Sequence, residues 1–573
     1  MMHKPIYPGV TKRKQACLGC RTRKKKCDGQ RPSCTPCKRW NVVCDYNEFP
    51  TVRNGGPTRP DIALGMPGFT VFTDFSHNYH QHTGSTSSSL PGSQDSMSTE
   101  SSTVSHTSPE SLDYLSNSPA DKEPMIPPLS LVLELLDIFV IKYTRFLPCF
   151  HLESLKADVK SGELQRFSSS LLFAILAIAA PQHSERKVKA SQAIWASTAS
   201  SLYDSTSHDA VPPLRVLQAA VCIVFLSISR TDYSKAWLTL GKAWRQACAM
   251  GFNRIDATST GPLVLSPGPL NSREQEERRR TMWTLMLLDG DHSYPSGWPT
   301  AIDVRQVVVH KPISDVAFNL MSSESSLPRE NGDMLQQVLK AYETLGKAVQ
   351  HVYVLQRPDD LYDHFLKMKQ LVRQSDLIKE SLQLSLNERH QYLQLCYVVW
   401  ASLINSATII LLNHLSEEDW EMMRDSSIPE KERLSSNTCF SKCVAAATDA
   451  AEMVNHIFET SSPDILLNPH IAAAIYICSR PLLITWHETQ DSIYRRGIST
   501  FLHFCDCLAA EFPPLGKKFK AGIEFCLGED EFGIQEMRKS GAKTNLAFCS
   551  VWFERSKLNS DSFVPGKIQM SKP

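Results

Sequence analysis

The sequence has 573 residues, of which 42% are apolar and 21% charged, and its formal net charge is +1. This length allows a small module together with one or two large globular domains. The net charge near zero excludes a general attraction of the whole chain to polyanions. The apolar stretches at 171–180 and 216–228 are shorter than the roughly 20 residues of a membrane span, so we expect a soluble protein with no membrane partner.

Six cysteines lie close together near the start of the sequence, in two copies of the spacing C-x2-C-x6-C. They are Cys17, Cys20, Cys27, Cys34, Cys37 and Cys44. Two residues between cysteines allow both thiolates of a tight turn to reach one tetrahedral ion, so each copy predicts part of a zinc site. Two zinc ions with four sulfurs each need more ligands than six cysteines offer, unless two cysteines bridge both ions. The leading cysteine of each copy, Cys17 and Cys34, is the symmetric choice.

Three other arrangements of these cysteines are structural alternatives. They are a disulfide framework, a single zinc held by four cysteines with two spare thiols, and an iron–sulfur site. Because no secretory signal precedes the cysteines, we expect a reducing compartment, which disfavours disulfides.

The positive charge of the sequence is concentrated around the cysteines. Residues 12–46 contain eleven lysines and arginines and two aspartates, and six thiolates with two Zn²⁺ would remove two further charges, which leaves about +7. Such a compact patch suits binding to phosphate backbones and predicts a salt-dependent affinity. The basic clusters at 12–14 and 21–26 are also of the nuclear-localisation type, so we expect the protein in the nucleus.

The segment from Cys17 to Cys44 resembles the fungal binuclear zinc-cluster (Zn2Cys6) DNA-binding domain of transcription regulators. The cysteine spacing, the basic run before the third cysteine, Pro32 and Tyr46 all match that pattern. In that family the first and fourth cysteines bridge two zinc ions, and this is the pair that the ligand count also selects. The resemblance implies two Zn²⁺ ions per chain and double-stranded DNA as a partner.

The resemblance also implies which side chains contact DNA. In the family, the third and fourth residues after the second cysteine contact base edges in the major groove, usually of a CGG triplet, and here they are Arg23 and Lys24. Either side chain can donate to guanine O6 and N7, which gives about 1–3 kcal/mol of discrimination. Contacts to the DNA backbone are expected from Arg21, Lys25, Lys26, Lys38 and Arg39. The alternative is a nonspecific, solvated basic face.

Composition divides the sequence into five segments. No lysine or arginine lies between Arg59 and Lys122, and residues 85–118 contain eighteen serines or threonines, which predicts a disordered linker. The predicted division is a basic N-terminal arm at 1–16, a zinc-cluster domain at 17–46, the linker at 47–128, an all-α domain at 129–510 and a C-terminal segment at 511–573.

Helical periodicity begins after residue 128, where Leu131, Leu135, Phe139 and Tyr143 recur every four residues. Further predicted helices cover 171–180, 214–228, 234–250, 273–289, 384–415 and 439–459. Strand-like alternation is scarce, so the second body is predicted to be all-α. The predicted fold is therefore a small zinc-cluster domain and a large helical domain joined by a disordered linker.

Residues 130–310 resemble the fungus-specific regulatory domain, or middle homology region, that follows the zinc cluster in this family. The resemblance rests on FVIKYTRFLPCFHLESL, LLFAILAIAA, LQAAVCIVFLSISRTDYSKAWLTLGKAWRQACAMGFNR and EERRRTMWTLMLLDGDHSYPSGWPTAI. Weaker helical periodicity continues to about residue 510.

The sequence contains no P-loop, nucleophile elbow or HExxH motif, so we predict that the protein is not an enzyme. Asp289, Asp291 and His292 could suggest acid–base chemistry, but the resemblance implies that they lie at a helix end and turn. Cys505 and Cys507 are a candidate redox pair, although cysteines among apolar residues are most often buried free thiols.

These observations predict a sequence-specific DNA-binding transcription factor that regulates RNA polymerase II, reads CGG-type half-sites and controls a metabolic or secondary-metabolite gene set. Expected partners are DNA and the transcription machinery or co-regulators. A homodimer is possible, although no heptad coiled coil is visible after the cysteines. The alternative is a zinc-stabilised cofactor that is recruited by protein contacts and binds DNA only nonspecifically.

Overall fold

In the computed structural model, the contacts divide the chain into two compact units, residues 1–106 and residues 107–573. The structure describes residues 20, 25–39, 44, 125–206, 214–257, 271–296, 298–321, 334–353, 360–386, 391–425, 427–433 and 435–542. These residues contain helices and no strand, which confirms a zinc-cluster module followed by an all-α body. All but the last four residues of the predicted linker lie outside the described part.

Helix α1, Thr35–Arg39, is the longest helix described in the first unit. The helices of the second unit begin with α2 Leu129–Lys142, α3 Leu152–Lys160, α4 Glu163–Phe167, α5 Ser169–Ala179, α6 Arg186–Ala190, α7 Gln192–Ser205, α8 Leu214–Ser229, α9 Tyr233–Ala249 and α10 Ser272–Ser296. They continue with α11 Asp315–Asn319, α12 Met334–Val352, α13 Leu361–Leu386, α14 Tyr392–Asn413, α15 Glu417–Met423, α16 Ser436–Thr460, α17 Ala472–Thr489, α18 Ser492–Glu511, α19 Pro513–Leu527 and α20 Glu531–Ser540.

Local sequence signals set the ends of these helices. The side chain of Asp232 accepts the N–H of Lys235 at 3.3 Å and caps the start of α9. Gly251 follows the helix with φ of +73°, a left-handed conformation that glycine adopts without steric cost. The predicted helix at 234–250 is therefore confirmed, and so are the helices predicted at 171–180, 214–228, 273–289 and 439–459.

One predicted helix is wrong, since the structure places two helices in the range 384–415. Helix α13 ends at Leu386 and α14 begins at Tyr392. The sequence between them is the polar run at 387–390, which offers no apolar residue to continue a buried helix face. The apolar repeats on either side belong to separate helices.

Helix α14 lies at the centre of the second half of the body and packs against α12, α13, α16 and α17. It has 22 residues, its most apolar 18-residue window has a mean hydropathy of 2.0, and 83% of that window is buried inside the protein. By length and composition it is the one described helix that could span a membrane, and it lies outside the apolar stretches at 171–180 and 216–228 from which a soluble protein was expected. Its burial within the protein is that of a core helix.

The predicted end of the helical domain at residue 510 is too early. This boundary falls inside α18, and α19 and α20 continue the same packing. Leu515, Phe519 and Ile523 of α19 are buried in the large core that begins at α2. Because these side chains share that core, the helical body extends to at least Ser540.

The EERRR run at 276–280 forms a buried network of ion pairs along α10. Arg280 is 1% exposed and donates to Asp315 at 2.7 Å and to the carbonyl of Ile313 at 2.7 Å. Arg279 donates to Asp256 at 2.5 Å. These contacts fix the loops on both sides of α10 to the helix, so the run stabilises the fold.

Candidate metal centre

Five of the six predicted zinc-ligand cysteines belong to the described residues, and their sulfurs come together. Cys20, Cys27 and Cys34 form one group and Cys34, Cys37 and Cys44 a second, with the sulfurs of each group within 4.8 Å of one another. Cys34 belongs to both groups. The sixth predicted ligand, Cys17, lies outside the described residues.

The spacing of the sulfurs fits zinc. Sulfurs that share one tetrahedral zinc at a Zn–S distance of about 2.3 Å lie about 3.8 Å apart. The Cys20 and Cys34 sulfurs, which belong to one group, are 3.5 Å apart. Those of Cys20 and Cys37, which belong to different groups, are 4.0 Å apart, so the two groups lie side by side. The side chains of Cys20, Cys34 and Cys37 are at most 1% exposed. The geometry therefore suits a closed structural metal cluster rather than a catalytic site open to substrate.

The backbone around the cysteines holds the sulfurs in place. The N–H of Cys34 donates to the Cys44 sulfur at 3.2 Å, a contact that holds this sulfur beside Cys34. The carboxylate of Asp28 accepts the N–H of Thr35 at 3.2 Å, at the first residue of α1. The hydrogen bond with the Thr35 side chain is the main cause of the lowered pKa of Asp28.

Basic side chains surround this buried cluster on the outside. Lys25, Lys26, Lys38 and Arg39 are all exposed, and Lys38 and Arg39 lie in the last turn of α1. The remaining predicted DNA contacts, Arg21, Arg23 and Lys24, lie outside the described residues. The described part thus combines buried sulfurs with an exposed cationic surface, which is the arrangement needed to approach phosphates.

The acidic residues at the end of α10 have structural roles in the described part of the chain. Asp289 accepts the N–H groups of Ala301 and Ile302 at 3.0 and 2.9 Å, and burial raises the pKa of its carboxyl to about 6. Asp291 accepts hydrogen bonds from Tyr342 and His470. Burial is also the main cause of the raised pKa of Asp291.

The buried cluster of polar side chains around Asp291 could not be predicted from the sequence, because its members are far apart in the chain. Trp400 donates its indole N–H to the Tyr342 hydroxyl at 3.1 Å and stacks on His470 at 4.8 Å. Tyr342 and His470 in turn hold both oxygens of Asp291. Since each group has a partner inside the core, the cluster joins α10, α12 and α14.

The candidate redox pair in α18 does not have the properties of reactive thiols. Burial raises the pKa of Cys505 to about 12, and it also raises the pKa of Cys507. A raised pKa leaves little thiolate at neutral pH. Two residues of separation on a helix also point the two side chains away from each other.

Two known protein families match the sequence over most of this architecture. The fungal Zn(2)-Cys(6) binuclear cluster domain matches residues 15–52, and the fungal specific transcription factor domain matches residues 136–394. The Zn2Cys6 domain binds two zinc ions, in agreement with the two sulfur groups.

Several curated relatives are similar to parts of the chain. An uncharacterised transcriptional regulatory protein of Schizosaccharomyces pombe is 26% identical over 286 residues, which cover 48% of this chain and 37% of the relative. The citrinin biosynthesis transcriptional activator mrl3 of Monascus ruber is 23% identical and covers 55% of this chain and 67% of its own length. The tropolone cluster transcription factor tropK of Talaromyces stipitatus is 23% identical, and the match covers 50% of this chain and 56% of the relative.

The chain thus spans between about a third and two thirds of these relatives' lengths. The matched families occur in the order of the two units, with the zinc cluster first and the helical body second. The buried cysteine groups and the exposed basic side chains are features of the first family, and the helices of 136–394 form the second. The chain belongs to the fungal Zn2Cys6 transcription factor family.

Proposed function

We propose that the protein is a nuclear regulator of RNA polymerase II transcription that reads CGG-type half-sites through its zinc module. The observation that carries this proposal is the shared position of Cys34 in two buried sulfur groups, beneath an exposed basic surface. A module of this size is too small to fold by apolar burial alone and depends on its metal.

Cys34 and Cys17 bridge the two zinc ions in this proposal, and each of the other four cysteines binds one ion. The membership of Cys34 in both groups supports its role. Zinc supplies structural cross-links here, because four sulfurs around each ion leave no open position for water. The rigid cluster holds the basic segment after Cys20 in one orientation relative to the groove.

Arg23 and Lys24 are assigned to base contacts, and the flanking basic residues to phosphates. Bidentate donation to guanine O6 and N7 distinguishes G·C from other pairs in the major groove. Phosphate contacts fix the register without reading sequence. The exposure of Lys25, Lys26, Lys38 and Arg39 supports their assignment to phosphates, together with Arg21.

The gene set is proposed to be metabolic and to include secondary-metabolite genes. Relatives named for citrinin biosynthesis and for a tropolone cluster support this assignment. The large helical body would provide the surface that contacts co-regulators, the transcription machinery or a second copy of the chain.

Selection of binding sites from random duplexes by the zinc-loaded full-length protein tests this proposal. We expect enrichment of duplexes that contain CGG, and loss of that enrichment in Lys24→Ala. A matched control is Lys160→Ala, which removes one lysine from the helical body at the end of α3. Binding without any enriched sequence would contradict the proposal and favour a cofactor that contacts DNA nonspecifically.

A further inference from the structure

Two arginines in the second half of the helical body lack the carboxylate partners that other buried arginines have. Arg215 and Arg280, in the first half, meet Glu277 and Asp315 at 2.5 and 2.7 Å. Arg480 of α17 is 5% exposed, and no described carboxylate forms an ion pair with it. Arg538 of α20 has no ion pair with a described residue either. Arg538 is half-buried, and the charge of Glu488 acts on it without forming an ion pair. Arg480 is the buried member of the two, and because an unpaired buried cation is unfavourable, it indicates a missing anion.

A cavity of about 160 Å³ lies beside Arg538, where α14 ends and α15, α16 and α20 meet. Its lining includes the basic residues Arg424, Arg538 and Lys539, with Glu417 as its acidic residue, and the ring of Phe440. The Arg538 guanidinium lies 3.2 Å from the centre of that ring, so it is held in one orientation. Its Nη1 atom is buried without a hydrogen-bond partner in the described part.

His414 adds a second unpaired atom to the same cavity. This side chain is 4% exposed, and its Nε2 lies 3.3 Å from the carbonyl oxygen of Arg538. A carbonyl only accepts, so Nε2 carries the proton and Nδ1 is left as an acceptor. Nδ1 is buried and has no partner among the described residues. Burial and then the nearby charge of Arg480 lower the pKa of His414 to about 3, which keeps this imidazole neutral.

The cavity therefore offers cationic donors from arginine and a neutral acceptor from histidine. We propose that it binds a small oxyanion that also carries a hydroxyl proton, namely hydrogen phosphate or a phosphate monoester in its singly protonated form, which predominates below a pKa of about 6. An anionic oxygen would accept from Arg538 Nη1, and the P–OH group would donate to His414 Nδ1. Arg480 would add long-range attraction for the same anion.

The size of the cavity agrees with this ligand. At about 30 Å³ for each water, it holds roughly five waters, which is too small for a drug-sized molecule but sufficient for one phosphate group. An open cleft of about 610 Å³ adjoins it and shares Phe440 and Arg538. The remainder of a phosphate monoester would lie in this cleft, near Thr448 and Tyr494. This inference does not depend on how the zinc module reads DNA.

Thermal unfolding of the zinc-loaded full-length protein, titrated with inorganic phosphate, with glycerol 3-phosphate and with sulfate at matched ionic strength, tests the proposal. At about pH 6, where much of each phosphate compound carries a P–OH group, we expect a saturable rise in Tm with either compound and a smaller rise with sulfate, which has no hydroxyl donor at that pH. Tighter binding of glycerol 3-phosphate would identify a monoester as the ligand, and tighter binding of phosphate would identify the free ion.

Arginine variants separate this site from the basic zinc module, which also attracts phosphate. Arg538→Met should weaken binding by about 10- to 150-fold, the loss expected for one hydrogen bond to a charged group. The control Arg166→Met removes an exposed arginine from α4 and should bind as the wild type does. Arg480→Met should weaken phosphate binding while Tm without phosphate stays unchanged or rises, since a buried unpaired cation is removed. Equal phosphate responses in Arg538→Met and Arg166→Met, or equal responses to sulfate and phosphate, would overturn the proposal.

Discussion

Replacing Cys34 by alanine should remove more zinc than replacing any other described cysteine of the cluster. The Cys34 sulfur belongs to both sulfur groups, whereas the Cys20 sulfur belongs to one. Cys34→Ala therefore takes a ligand from both metal sites, and Cys20→Ala takes a ligand from a single site. Each structural zinc contributes about 10–16 kcal/mol of apparent binding energy, which greatly exceeds what so small a module gains from apolar burial.

The assay is zinc content per chain, measured by elemental analysis after dialysis against a mild chelator. We expect two zinc ions in the wild type, about one in Cys20→Ala and none in Cys34→Ala. Cys149→Ala, which changes a buried cysteine of the helical body, should keep both ions. Two zinc ions and normal DNA binding in Cys34→Ala would refute the bridging arrangement.

Three further predictions concern the helical body and the DNA surface. Arg280→Met should lower the free energy of unfolding, measured by urea denaturation, by about 3–5 kcal/mol, because Asp315 and Glu276 lose a buried partner. A decrease in this free energy of less than about 1 kcal/mol would contradict the buried network. Burial lowers the pKa of His292 to about 4 from an ordinary value of 6.5. The unfolded chain therefore binds the proton at a higher pH than the folded chain does. As the pH falls from 6.5 to 5, the free energy of unfolding of the wild type should drop by about 2 kcal/mol relative to that of His292→Phe. Parallel curves of stability against pH for the two proteins would show that the burial is misassigned. Lys38→Ala should weaken binding to every duplex and lower the slope of log K against log salt concentration by about 0.9. Weaker binding to one sequence alone would argue against a phosphate contact.

The zinc module could be predicted from sequence because metal ligation imposes a fixed spacing. Cysteines two residues apart in a tight turn reach one ion whatever surrounds them. The position of Cys34 in both sulfur groups agrees with the ligand count that selected it. The roles of Cys17, Arg23 and Lys24 stay predictions, since these residues lie outside the described part of the chain.

The helices could be predicted where apolar residues follow a helical period, and the same period continues past the predicted domain end. The face of α19 contains Leu515, Phe519 and Ile523 at intervals of four, and Pro513 starts the helix. These signals lie in the sequence beyond the predicted domain end at residue 510. The division between α13 and α14 was also missed, because apolar residues continue on both sides of the polar run at 387–390.

Contacts between distant residues could not be predicted from a single sequence. The bonds that Asp291 makes with Tyr342 and His470 join positions 51 and 179 residues away. The cavity beside Arg538 likewise forms from four helices that only tertiary packing brings together. Periodicity specifies which face of a helix is buried, and it does not specify which polar side chains meet inside the core.

The central claim is that two zinc ions hold the basic segment of the first unit in a form that reads base edges. Competition binding by the zinc-loaded full-length protein, with a CGG duplex against a scrambled duplex of equal length, tests it most directly. Two good contacts at about 1 kcal/mol or more each predict at least about a 30-fold preference for CGG, abolished when zinc is chelated. Equal affinity for both duplexes, or a preference that persists after zinc is removed, would contradict the account.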